Sequence, residues 1–150
     1  MKALRTAAIL VAGLALAAPA AADDEGRACS IRKIAGRWVF ATGVGQFPAF
    51  GGDITAIGTM NIDREGDLSG KFDATVASVQ FLPGIRYSGS VTVNDDCTGT
   101  LRFVTGAGTV RTDSIAVLGR DEIWGMSRDP GNLWTYSVRR VSSGPAEDER

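Results

Sequence analysis

What most limits the fold of this chain is its rhythm from Arg37 to Val141. Short runs rich in Val, Ile, Thr, Phe, Tyr and Trp are cut by Gly, Asp, Asn and Pro, with no helical period long enough to cover a sheet. Eight runs read as strands: Arg37–Thr42, Ala56–Asp63, Leu68–Ala77, Arg86–Val93, Gly99–Thr105, Val110–Leu118, Glu122–Arg128 and Leu133–Val141. The links between them are mostly short and carry turn residues, as in Arg64-Glu65-Gly66-Asp67, Asn94-Asp95-Asp96-Cys97, Gly119-Arg120-Asp121 and Asp129-Pro130-Gly131-Asn132. Links of this length join antiparallel neighbours, because a parallel pair needs a crossover of about a dozen residues. With no helix to shield the sheet, closure is the simplest way to remove its edges. The expected fold is therefore all-β: an eight-stranded antiparallel up-and-down barrel behind an N-terminal signal peptide.

Alternation assigns faces to most strands, since successive side chains point to opposite sides of a sheet. Leu68, Gly70, Phe72, Ala74 and Val76 point inward against Ser69, Lys71, Asp73 and Thr75. Tyr87, Gly89, Val91 and Val93 form a second inward set, Leu101 and Phe103 a third, and Trp134, Tyr136 and Val138 a fourth. Val110–Leu118 is ambiguous, because Ile115 and Val117 lie on the opposite face from Ala116 and Leu118. Its two apolar faces read either as a homo-oligomer contact or as scattered exposed aliphatics.

Ahead of the strands stands an export signature. Lys2 and Arg5 precede an uncharged Ala- and Leu-rich run, and Ala20-Ala21-Ala22 ends it before the acidic Asp23-Asp24-Glu25. The expected layout is a signal peptide at 1–22, an N-terminal segment with a short helical turn at 23–36, the barrel at 37–141 and a disordered tail at 142–150. Cleavage removes Lys2 and Arg5, so the formal net charge of −1 becomes more negative. With basic residues scattered singly, nucleic acid is not an expected partner, nor is the membrane after cleavage. In a secreted or periplasmic setting the two cysteines, Cys29 and Cys97, read as a disulfide.

The inventory removes most catalytic chemistries. There is no histidine, which excludes Ser-His-Asp and Cys-His arrangements and imidazole metal ligation, and no glycine-rich loop leads into a helix. No cofactor and no metal are expected. Most carboxylates fall in turns; Asp73 and Asp113 are mid-strand, each two positions after a basic residue (Lys71, Arg111), and read as solvated ion pairs. Gly43–Asp53 is long for a hairpin loop, and its Phe47, Pro48 and Phe50 read either as a cap on the core or as a flap over the barrel mouth.

Gly36-Arg37-Trp38 resembles the Gly-x-Trp that opens the first strand of lipocalin-like barrels. That likeness implies a Trp across the closed end with an Arg stacked on it, here Arg139 or Arg140. Avidin-like barrels share Gly36-Arg37-Trp38 and Gly66-Asp67-Leu68-Ser69-Gly70-Lys71-Phe72, but Phe40, Phe72 and Ala74 stand where that family presents polar groups to biotin. A longer resemblance runs from Cys29 to Val141. It rests on Gly-Thr-Met-Asn-Ile-Asp at 58–63, Gly-Asp-Leu-Ser-Gly at 66–70 and Ser-Gly-Ser-Val-Thr-Val-Asn-Asp-Asp-Cys-Thr-Gly-Thr at 88–100. This pattern is similar to an uncharacterised group of exported bacterial β-barrel proteins with a Val-Asn-x-Asp-Cys-Thr-Gly-Thr motif. The chain departs from that group at Val91, where Tyr is usual, and at Asp95, where Pro is usual. The resemblance implies the calycin-like barrel of allene oxide cyclases and the Cys29–Cys97 pairing, and it supplies no activity.

Three functions compete. The first is binding of a small apolar ligand in an interior lined by Trp38, Phe40, Phe72, Tyr87, Phe103, Trp124, Trp134 and Tyr136, with Trp38, Phe40, Trp134 and Tyr136 converging at one end. The second is a cyclase or isomerase that folds a reactive polyene by shape, a reading weakened because no interior carboxylate can be named. The third is an interaction module with a filled barrel, working through an outer patch of Val39, Ile115 and Val117.

Overall fold

The computed structural model describes residues 29–47, 52–77 and 80–142, so the expected signal peptide, most of the expected tail, Pro48 and Phe50 lie outside the described residues. A single turn of helix, α1 (Ile31–Ile34), leads into nine strands: β1 (Gly36–Thr42), β2 (Gly45–Phe47), β3 (Gly52–Ile62), β4 (Asp67–Val76), β5 (Gln80–Val93), β6 (Thr98–Thr105), β7 (Val110–Val117), β8 (Glu122–Ser127) and β9 (Thr135–Ser142). Each strand from β3 to β8 pairs antiparallel with the next, and β1 pairs with both β3 and β9. The sheet is thus a closed eight-stranded barrel in which β2 prolongs the side that β1 begins.

Turn chemistry sets the hairpins. Gly66, Gly119 and Gly131 all take positive φ, and in the β5–β6 turn Cys97 itself does so at 67°. That turn is held by Asp96, whose carboxylate accepts the Thr98 amide at 3.0 Å and the Thr98 hydroxyl at 2.6 Å.

All eight expected strands are present, and two are longer than their composition suggested. β3 begins at Gly52 and β5 at Gln80. Pro83 and Gly84 sit in a register shift between the pairs Phe72↔Ile85 and Ala74↔Leu82, where the sheet tolerates them. Asp73 serves this irregularity and not an ion pair with Lys71: its Oδ1 accepts the Gly84 amide at 2.7 Å. The flap reading of Gly43–Asp53 is likewise corrected for its described part. β2 pairs with Gly52–Ile54, Gln46 bridges to Leu133, and Phe47 is 2% exposed. An aromatic ring at that position gains more from burial than from solvent contact. Where β1 breaks off, the Thr42 hydroxyl accepts the Ala56 amide at 2.7 Å and fills the gap in the ladder.

One end of the barrel is plugged. Ile34 and Trp38 are fully buried, and Trp38 Nε1 donates to the Ile34 carbonyl at 2.9 Å. The Arg140 guanidinium lies 4.3 Å from the Trp38 ring centroid and donates to the carbonyls of Lys33 at 2.7 Å and Ala35 at 2.8 Å. Arg140, not Arg139, is therefore the stacked arginine: the unbroken pairing of β1 with β9 from Thr42 back to Trp38 sets Arg140 opposite Trp38 and Arg139 opposite Val39, and the irregularity comes only beyond Trp38, at Arg37. The Cys29–Cys97 disulfide ties the start of the plug to the β5–β6 turn.

Candidate functional site

The ambiguous strand β7 settles the character of the interior. Arg111, Asp113, Ile115 and Val117 are all buried and share one face, while Ser114 and Ala116 are half-buried on the other. The outer patch of Val39, Ile115 and Val117 therefore does not exist: Val39 is exposed, but Ile115 and Val117 belong to the core. The reading of Asp113 as solvated is corrected on the same ground. Ile115 and Val117 must be inside, and period two carries Asp113 and Arg111 in with them.

Around Asp113 the barrel is aromatic. Phe40, Phe72, Tyr87, Phe103 and Tyr136 form a chain of tilted and edge contacts with centroids 5.3–6.4 Å apart. Trp134 joins Tyr136 at 6.3 Å and Phe47 at 4.9 Å. Glycines on neighbouring strands make room for the rings. A Cβ on Gly70 would stand 2.6 Å from the Tyr87 phenol, and one on Gly125 would run into the phenol end of Tyr136. Tyr87 donates across Gly70 to the Thr59 carbonyl at 2.9 Å, and burial pushes its phenol well above the usual range.

Two chambers result. An inner cavity of about 40 Å³ is bounded by Phe40, Met60, Phe72, Tyr87, Leu101, Phe103, Asp113, Trp134, Tyr136 and Val138. A wider pocket of about 330 Å³ opens at the end opposite the plug, between Phe47, Ile54, Ala74, Leu82, Ile85, Thr109 and Arg111. Phe72, Phe103 and Trp134 line both and form the partition between them. The hollows on the outer face are larger, about 530 Å³ beside Trp124 and 620 Å³ over Ile57, but they are more open to solvent than the mouth.

Charge enters this apolar space at two points. Arg111 is clamped at the mouth: Nε donates to Asp129 at 2.9 Å, Nη2 to Ser127 at 3.0 Å, and its guanidinium carbon sits 4.1 Å from the Phe47 centroid. Asp113, 2% exposed, lies deeper. Burial raises its pKa to about 6, against the lowering influence of Arg111 and Tyr136. Asp113 and the Tyr136 phenol face each other as loose hydrogen-bond partners, a contact that lowers the carboxyl and raises the phenol, and Tyr136 is held above its usual range chiefly by burial. Neither Asp113 Oδ1 nor Tyr136 Oη closes a hydrogen bond of full geometry within the protein.

Of the eight expected lining residues, Phe40, Phe72, Tyr87, Phe103, Trp134 and Tyr136 meet at the inner cavity. Trp38 is inside but belongs to the plug, so it does not converge with Trp134: the two stand near opposite ends of the barrel. Trp124 is corrected outright. It is 56% exposed on the outer face, its Nε1 donating to Glu122 at 2.7 Å, because Ile123 and Gly125 hold the inward phase of β8. Sequence reasoning gave Phe47 as a cap or flap without placing it among the lining residues, and it missed Arg111 and Asp113, although the shared parity of 111, 113, 115 and 117 was visible. Among the described residues no cluster of ligating side chains could hold a metal.

No family model matches the chain, and no curated protein matches it. Solved structures do. A redesigned β-barrel aligns with a TM-score of 0.55 at 14% identity over 75% of this chain and 96% of its own. The redesigned barrel mFAP1, solved bound to DFHBI, aligns with a TM-score of 0.55 at 16% identity over 74% and 98%. A fluorescence-activating β-barrel designed de novo gives 0.53 at 13% identity over 73% and 95%. At these identities the likeness is one of fold.

Proposed function

We propose that this protein binds a small apolar ligand at the open end of its barrel. The observation that carries the reading is the mouth of about 330 Å³, within the size range of small-molecule pockets, floored by Phe72, Phe103 and Trp134. A barrel of the same architecture holds DFHBI in mFAP1. The setting is secreted or periplasmic: the export signature of the first residues and the Cys29–Cys97 disulfide both suit an oxidising compartment. A second reading, a cyclase or isomerase of the allene-oxide-cyclase type, is favoured by Asp113, an interior carboxylate that the sequence did not disclose.

Titration with an apolar fluorophore tests the binding reading. Of the three tryptophans, Trp134 alone lines the mouth, Trp38 lies in the plug and Trp124 faces out. Quenching on binding should therefore survive Trp124→Phe and vanish with Trp134→Phe. If no probe binds near 100 µM (roughly −5.5 kcal/mol) and Trp134→Ala behaves as a plain truncation costing about 3–5 kcal/mol, the rings are packing only and the reading falls.

A further inference from the structure

Arg111 is the only charged residue among the described residues that line the mouth. Its side chain is 9% exposed, and two of its three guanidinium nitrogens are engaged, Nε with Asp129 at 2.9 Å and Nη2 with Ser127 at 3.0 Å. Asp129 is itself fixed, because the same carboxylate oxygen accepts the Thr112 amide at 3.3 Å. Nη1 donates to no described residue, and no Arg111 atom is among the fully buried polar atoms that lack a partner. A guanidinium this deep normally has its donors engaged. Here one pair of N–H groups is left to the pocket that the side chain borders.

We propose that Nη1 of Arg111 is the anchor of the mouth, and that the ligand is a neutral apolar molecule bearing a carbonyl oxygen. This rests on the binding reading above and names its ligand class. Charge argues for neutrality. Asp129 already neutralises Arg111 at 2.9 Å, so a carboxylate would bring an unmatched negative charge into an apolar pocket. The donor set argues for a carbonyl, since a guanidinium has N–H groups and no lone pair, and a ligand that can only donate leaves Nη1 unmet. Thr105 and Thr109, the other polar side chains of the mouth, are half-buried and exposed, and their hydroxyls serve either kind of ligand. They do not set the choice. Distance agrees with this: the guanidinium carbon stands 5.7 Å from the Trp134 ring centroid, a span that one small molecule covers with its ring at Trp134 and its oxygen at Nη1. The whole ligand then stays in the mouth, on the outer side of Phe72, Phe103 and Trp134.

The test is competition on the full chain against the apolar fluorophore, with four probes of similar size: 1-indanone, a carbonyl acceptor; indole, a donor only; indane, neither; and phenylacetate, an anion. 1-Indanone should displace the fluorophore at a lower concentration than phenylacetate. Arg111→Met combined with Asp129→Asn removes the anchor without leaving either charge alone. It should weaken 1-indanone about tenfold, the scale of a hydrogen bond to a charged group, and move indole and indane by less than about threefold. If 1-indanone weakens no more than indane, or phenylacetate binds the tighter, Nη1 serves water or an anion, and the inference is overturned while the binding reading stands. Should the double variant fail to fold, the Arg111 Cζ resonance of the unaltered protein decides: it should move with 1-indanone and not with indane, and an equal response to both overturns the inference. If the fluorophore itself does not bind, the binding reading falls and the inference with it.

Discussion

At the scale of single residues, Asp113 dominates the thermodynamics. A carboxyl whose pKa is about 6 in the folded protein and about 4 in the unfolded chain binds its proton more tightly when folded. Its contribution to stability is therefore fully present below pH 4 and lost as pH rises through 6. The groups facing it are Arg111 on its own strand, Tyr136 on β9 and Asp129 in the β8–β9 connection, and of these only Asp129 adds to the upward shift. Two pKa units correspond to about 3 kcal/mol, an upper figure at neutral pH. Asp113→Asn should thus raise stability at pH 7 by about 1–3 kcal/mol and remove part of the decline between pH 4 and 7. Urea midpoints across that range check it, and a variant with an unchanged slope would show that Asp113 titrates normally. Retaining a destabilising group in a core position is the pattern expected of a functional site.

At the scale of elements, the plug and the mouth are separate devices. α1 has no side-chain cap at its N-terminus and only one turn, so it is held from outside: Arg140 and Trp38 take the carbonyls of Lys33, Ile34 and Ala35. Arg140→Lys would lose the fork that spans two carbonyls and the stacking on Trp38, at a cost of about 1–2 kcal/mol. The disulfide closes a separation of 68 residues, which stabilises by about 4 kcal/mol on the chain-entropy account. Cys29→Ala or Cys97→Ala should cost about 2–5 kcal/mol by thermal or denaturant unfolding. Because Cys29 and Cys97 belong to the plug and Trp134 to the mouth, probe affinity at moderate temperature should stay within about threefold. A large loss of binding on reduction would show the two ends to be coupled.

At the scale of the whole molecule, closure is what turns a meander into a container. β1 runs beside β3 from Gly36↔Ile62 to Ala41↔Ile57 and beside β9 from Arg37↔Ser142 to Thr42↔Tyr136, so the first and last strands have no free edge along this stretch. Native-state hydrogen exchange should find β1 and β9 amides as protected as those of β4, with the slowest set near the global unfolding free energy. Edge-like exchange in β9 alone would mean that the seam opens. The twist needed to close also brings inward sets from non-adjacent strands together, so that Phe40 of β1 meets Tyr87 of β5 at 6.4 Å.

Much of this was legible in the residues. Eight strand positions, the antiparallel order and the inward phase of Leu68–Val76, Tyr87–Val93 and Trp134–Val138 follow from local facts: β-branched and aromatic runs, turn residues that admit positive φ, and period two. These are properties of neighbours along the chain, and neighbours are written in order. Tertiary structure decided what depends on distant residues. Trp124 reads as a lining ring until Ile123 and Gly125 claim the inner phase, and Trp38 and Trp134 read as one cluster until the barrel sets them near opposite ends. Asp113 and Arg111 read as surface charges, because burying a charge is costly in isolation and the compensation, from Ser127, Asp129 and the rings of Phe47 and Trp134, comes from other parts of the chain. The sequence alone determined the container, and only the closed barrel, by turning β7 and β9 toward one interior, decided that a carboxyl and a phenol would face each other inside it.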